Sequence, residues 1–485
     1  LLLAALGGCG APPDGGGTRP EELAVSPGCP NSGRTTQALS LVDRSLVGDP
    51  AAYQPDLTLR EREDVLWRSQ RLRRQAAWSV VARVLSAVKV EASLAPAATD
   101  GRLPAWQSWH AKDDLTRIFR HLYPELDPAE RALRTHFSEQ AIDAAWSWND
   151  TAIADYPDWT SERLAAYAGG IAGAAELAGL GGIYRVAYGP AASRHWLDSY
   201  PEVLGCEARA SEFVLGSQPA GGAMATATAA GLDDACSVPV DPAPACLSGP
   251  FPDAAVIVKA NWRRADSGVA LPVFDTSASG LERRLEASGT FSWDGADGSA
   301  EPGEDEIYTL RLPNGNTFRL AGLHVMTKEL DHWFWITLWW SPEPNKDFGA
   351  DRPAGLPAPW QNYKLCAVTA STEGDANPDG GFAQDHPSLG AALAATRALP
   401  GNSSWCSNPY IEEGAGNAAS NCIGCHQHAG TGLRTEDILA DGTRFPDHGR
   451  QHERLTFPSD YVFAATVGDD IAAMLRETED HYAEP

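Results

Sequence analysis

Trp333-Phe-Trp-Ile-Thr-Leu-Trp-Trp340 is the stretch on which the fold class turns. Its aromatic and β-branched residues, with a proline soon after at Pro342, read as a strand. Side chains alternate along a strand, so Trp333, Trp335, Thr337 and Trp339 point one way, and Phe334, Ile336, Leu338 and Trp340 the other. Both sets are apolar, so the strand is expected to be covered on both faces.

Outward from it, residues 254–262 (AAVIVKANW), 306–312 (EIYTLRL) and 317–325 (TFRLAGLHV) also read as strands. They define a Trp-rich β region over 251–370. Residues 41–215 have helical spacing instead. Thr58-Leu-Arg-Glu61 is a capping box opening a helix to about Val90, with Val65, Leu72, Ala76, Val80, Val84 and Val88 on one face. Leu115, Ile118, Phe119 and Leu122 mark a second helix. Asp127-Pro-Ala-Glu130 starts a third, burying Leu133, Phe137, Ile142 and Trp146. Residues 164–183 are long enough to span a membrane, but their Ala/Gly content and Glu176 favour a buried helix pair. Residues 216–250 read as a linker or long loop. The expected class is α+β: a mainly helical N-terminal region, the Trp-rich β region, and a C-terminal loop/helix segment over 371–485.

With 43% hydrophobic and 21% charged residues, the chain has globular rather than disordered composition. A net charge of −26 excludes nucleic acid as a partner, since that affinity comes from Lys and Arg on phosphates, and it suits a basic redox partner protein. Residues 1–40 read as the end of a secretory signal followed by a flexible tether. Leu6-Gly-Gly-Cys9 resembles a bacterial lipobox, predicting a lipid anchor on Cys9 and a place in the periplasm or cell envelope, the outer membrane included.

The C-terminal segment carries the chemistry. Cys422-Ile-Gly-Cys425-His426 has the C-x-x-C-H spacing of covalent c-type haem attachment. Two thiols two residues apart reach the two vinyl groups, and the adjacent histidine supplies an axial nitrogen to iron. A zinc site would want four ligands, and the nearest set adds Cys406 and either His426 or His428 to the two cysteines. A dithiol redox site would want a βαβ setting, which the loop before the motif does not offer. Six further cysteines are even in number and suit disulfides in an exported protein. Cys236–Cys246 and Cys366–Cys406 are the first choices, because each brackets a loop-like stretch.

Several of these features together resemble extracytoplasmic bacterial proteins of the cytochrome c family, most without an assigned activity. Lys259-Ala-Asn-Trp262, Gly322-Leu-His324-Val-Met-Thr-Lys328, the Trp333–Trp340 strand, the haem motif and Leu103-Pro-Ala-Trp106-Gln-Ser-Trp109 carry the likeness. It implies one haem c and electron transfer, and no substrate.

The second axial position is open in the sequence. Met474 is the first candidate, with His448, His452 and His324 as rivals. Lys259 and Lys328 would bind a haem propionate or an anionic substrate, or else guard strand edges. Asp375, Asn377 and Asp379, followed by Gly380, imitate the start of a calcium loop, but the twelfth position is His386 where a bidentate Glu is wanted. The expected function is a mono-haem electron carrier. The alternatives are a haem-dependent oxidoreductase with a pocket on the larger regions, and a haem-bearing binding or sensor module.

Overall fold

The computed structural model describes residues 50–68, 70–89, 102–146, 183–213, 246–265, 268, 270–277, 279–280, 283–284, 292–311, 317–350, 352–369, 406–412, 422–440, 457–465 and 471–483. Cys9, Cys29, Cys236, residues 164–182, the Asp375–His386 loop, His448 and His452 lie outside the described residues.

The architecture is α+β. One antiparallel sheet holds β3 (Ile183–Tyr188), β4 (Val256–Arg264), β7 (Thr309–Arg311), β8 (Thr317–Thr327), β9 (Phe334–Trp340) and β10 (Tyr363–Val368). Its order is β10-β9-β8-β4-β3, and β7 pairs with the first residues of β8. Two small ribbons, β1 (Ala87–Lys89) with β2 (Arg102–Pro104) and β5 (Leu271–Val273) with β6 (Gly298–Ala300), stand apart from it.

The tryptophan strand is buried at every position of β9, as its two apolar faces require. Trp333 itself precedes the strand, with φ 66°. One sheet face meets the N-terminal helices. Trp262 packs on Trp106 with ring centroids 6.0 Å apart, and Arg185 donates to the Trp109 carbonyl. The other face carries a single row of cross-strand partners, Val186, Lys259, His324, Thr337 and Cys366, one from each strand from β3 to β10.

The N-terminal reading needs several corrections. The expected long helix opens as a 3-10 turn over Leu57–Arg62 and is described as α-helix over Glu63–Arg68 and Gln70–Val84, ending short of Val88. Asp56, not Thr58, caps it, by accepting from the Thr58 N–H. Val65 is exposed, and Val88 belongs to β1. The third helix, capped by Asp127 as expected, ends at Arg134 with φ 49°; it leaves Leu133 exposed, and Ile142 belongs to a separate helix over Glu139–Trp146. The second helix, Lys112–Leu122, buries all four expected residues. Strand β3 also draws part of the region read as helical into the sheet, between that region and the helices Pro190–Asp198 and Tyr200–Phe213.

Two disulfides are described. Cys366–Cys406 matches expectation, with Cα atoms 5.6 Å apart. Cys246 pairs with Cys206 of the Tyr200–Phe213 helix, not with Cys236. No helix among the described residues is long and apolar enough to cross a membrane.

Candidate functional site

The disulfide at Cys406 delivers the C-terminal segment onto the row of side chains just described. From there residues 406–412 run back across the sheet. Asn408 donates to Thr337 Oγ1 at 2.8 Å and to the Leu338 carbonyl at 2.7 Å. Gly322 leaves room for that crossing, since a Cβ there would lie 3.0 Å from the Asn408 amide. Glu412 then reaches His324, with Oε1 3.6 Å from Nε2.

The haem motif forms one helical turn, Cys422–His426. Neither of its cysteines is in a disulfide. The His426 ring lies against Trp335, centroids 4.5 Å apart, and against Phe463 at 5.1 Å. Its Nδ1 is 2.8 Å from the Tyr461 carbonyl oxygen. A carbonyl only accepts, so Nδ1 carries the hydrogen and Nε2 keeps a free lone pair. Burial, with a contribution from Lys259 against that of the Tyr461 bond, pushes the His426 pKa down to about 4, so the ring is neutral at pH 7.

A covalently held haem fits this donor set. Both cysteines lie outside any disulfide in the turn that presents the histidine, and that histidine is held in the tautomer an axial ligand needs. Zinc fits less well. Cys406, which the zinc reading borrowed, is bonded to Cys366. Burial, aided by Glu412, also pushes the Cys425 thiol up to about 12, which opposes a zinc thiolate but not an uncharged thioether.

On the far side of the question, the structure brings His324 to the site. His324 stands one diagonal step from Trp335 across the β8–β9 register, on the same face. Burial holds its pKa well below the usual histidine range, with Lys259 and His426 adding to the effect, so the two rings share one environment. Its Nε2 is buried without a hydrogen bond, although Glu412 stands close. Glu412 is pushed up to about 7 by burial, against hydrogen bonds from Asn408 N–H and Ser407. Met474 is buried in the helix Ile471–Ala483, which packs on Lys112–Leu122 and Tyr200–Phe213. That helix also touches the turns at Tyr123–Glu125 and Phe463–Ala465.

The strand-edge reading of the two lysines does not hold. Lys259 lies on β4, inside the sheet between β3 and β8, with Nζ 5.1 Å from the Tyr184 ring centroid. Lys328 is buried and paired with Asp460. Sequence reasoning missed Glu412, Tyr461 and Asp460. Glu412 sits in a loop-like run without periodicity, and Tyr461 contributes a backbone oxygen, which no residue type announces.

Gly430 fixes the turn after the motif. Its φ is 85°, and a Cβ there would lie 2.9 Å from Pro458 Cβ and 3.0 Å from Ser459 N. Its carbonyl also faces the sulfurs of Cys206 and Cys246, each at 3.8 Å. Gly430→Ala is therefore expected to lower stability by about 1–3 kcal/mol in a denaturant titration; an unchanged midpoint would show that the turn can reshape freely. No protein-family model, curated protein or solved structure matches the chain.

Proposed function

We propose that the chain is a mono-haem c-type cytochrome acting in electron transfer outside the cytoplasm. Cys422 and Cys425 would hold the haem through thioethers, and His426 would bind its iron. When bound, haem supplies a one-electron couple at iron. The observation that carries this reading is the His426 Nδ1–H bond to the Tyr461 carbonyl beside two cysteines of the same helical turn, neither of them in a disulfide. The chain's own residues hold the imidazole through the Tyr461 carbonyl and shelve it on Trp335 and Phe463. A lipid anchor on Cys9, a place in the cell envelope and a basic redox partner, complementary to the net charge of −26, belong to the same reading.

The test is direct. Purified protein extracted with acid-acetone keeps its haem in the protein fraction and gives a thioether-type pyridine haemochrome spectrum. Haem recovered in the solvent would refute covalent attachment.

A second reading has its own observation. His324, Lys259 and Glu412 converge beside His426, and the His324 ring nitrogen faces a carboxyl group rather than standing alone. If His324 binds the iron, the site is six-coordinate and the protein is a carrier. If the His324–Glu412 pair instead serves protons to a bound molecule, the protein is a haem-dependent oxidoreductase. Carbon monoxide separates the two: the reduced carrier does not bind it, and the oxidoreductase does.

A further inference from the structure

Three residues outside glycine have left-handed backbone close to the haem motif: Trp333 (φ 66°), Asp460 (φ 44°) and Tyr461 (φ 70°). Such backbone is costly outside glycine and persists only where surrounding contacts over-determine it. Those contacts are visible. Lys328 Nζ donates to Asp460 Oδ1 at 2.7 Å and to the Asp331 carbonyl at 2.6 Å. The same ammonium stands 5.4 Å from the Trp333 ring centroid. Asp460 Oδ2 accepts from the Phe251 N–H at 2.9 Å, and the Asp460 carbonyl accepts from Trp333 Nε1 at 2.9 Å. Asp460 is thus held through its side chain by β8's end and the approach to β4, and through its backbone by the residue that leads into β9. The next residue, Tyr461, is the one whose carbonyl meets His426.

We propose that Lys328 and Asp460 are positioning residues for His426: their buried ion pair keeps the 460–461 backbone left-handed, so that the Tyr461 carbonyl accepts from Nδ1 and leaves Nε2 for iron. The inference rests on the haem reading above and adds the device that sets the histidine's tautomer and aim. Nothing in the pair touches the cofactor's iron; it acts through one turn of backbone. A proximal imidazole with a bonded Nδ1–H is a stronger donor to iron and favours the oxidised state. Loosening the turn should therefore raise the midpoint potential.

The experiment uses the full chain with haem attached. Lys328→Met removes the cation, and Asp460→Ala removes both side-chain anchors while making left-handed backbone costly. Asp460→Asn is the milder variant: Asn tolerates that backbone and keeps one oxygen, for Phe251 or for Lys328, but it loses the charge and turns an NH2 toward the other donor. The expected result for Lys328→Met and Asp460→Ala is a three- to tenfold shift toward the reduced form at fixed potential, up to about 59 mV for one electron. Asp460→Asn should fold and fall between the wild type and Asp460→Ala. Proton and nitrogen-15 spectra of the reduced protein should show a strongly hydrogen-bonded His426 Nδ1–H in the wild type and a weaker, faster-exchanging one in Lys328→Met and Asp460→Ala. Lower melting temperatures with unchanged potential and an unchanged Nδ1–H signal would overturn the proposal, leaving a purely structural ion pair. If the wild type holds no covalent haem, the cofactor reading falls instead, and the ring spectra still decide whether the pair holds the Nδ1–H bond.

Discussion

Cys422→Ser with Cys425→Ser is expected to give a protein that holds no haem covalently, an all-or-none loss read by the pyridine haemochrome assay. The reasoning is chemical: only thiols add across the vinyl groups, and the motif turn supplies both of them. The fold itself should persist, because the two disulfides and the sheet register do not involve either residue. A double variant that keeps its colour through acid-acetone extraction would show that the attachment lies elsewhere in the chain.

The second large effect lies far from the motif. Glu329, directly after the β8 strand and Lys328, is fully buried. It accepts from Tyr53 Oη and the Asp56 N–H, each at 2.8 Å, and pairs with Arg83. Those partners come from the segment and helix that cover the other sheet face. Burial, with Glu329's charge next in weight, drives the Tyr53 hydroxyl pKa well up, so the phenol stays a donor. Glu329→Ala would take the carboxylate acceptor from four donors, Tyr53 Oη, the Asp56 N–H, Arg83 and Thr327 Oγ1, one of them a guanidinium. Removing one member of a buried pair costs about 3–5 kcal/mol, and the part of Arg83 that water still reaches places the expected loss near the lower figure. A urea titration with an unchanged slope and a lower midpoint would report it. A change below about 1 kcal/mol would mean that the N-terminal layer does not depend on this joint. Glu329→Gln, which keeps the acceptor oxygen, should lose less.

The sheet was largely legible, and the helices were less so. Alternation along 333–340 announced burial on both faces, because strand geometry leaves a side chain no third direction. The Thr58 signature misled because Asp56, two residues earlier, is the cap: it accepts from both the Thr58 N–H and the Thr58 hydroxyl, so that hydroxyl is itself engaged as a donor. Val65 matched the helical period but is exposed, close to the 3-10 start of the helix, where the buried residue is its neighbour Leu66. Cys246 found Cys206 over Cys236 because spatial neighbours, not loop-like spacing, decide pairing. In the site, Cys422, Cys425 and His426 could be read from residue type and spacing alone. Tyr461 could not, since any residue offers a carbonyl, and Lys328 could be noticed but not interpreted without Asp460, which lies 132 positions away.

The single row from Val186 to Cys366, with Glu412 and His426 laid over it, means that the motif owns very little of its surroundings. Its shelf is a tryptophan of β9, its facing histidine belongs to β8, and its carbonyl acceptor is pinned by a lysine from the end of β8. A fragment beginning at Cys406 would therefore carry the motif without its setting, and could not be grafted onto another protein as a cassette. Whatever chemistry the motif performs belongs to the whole chain or not at all.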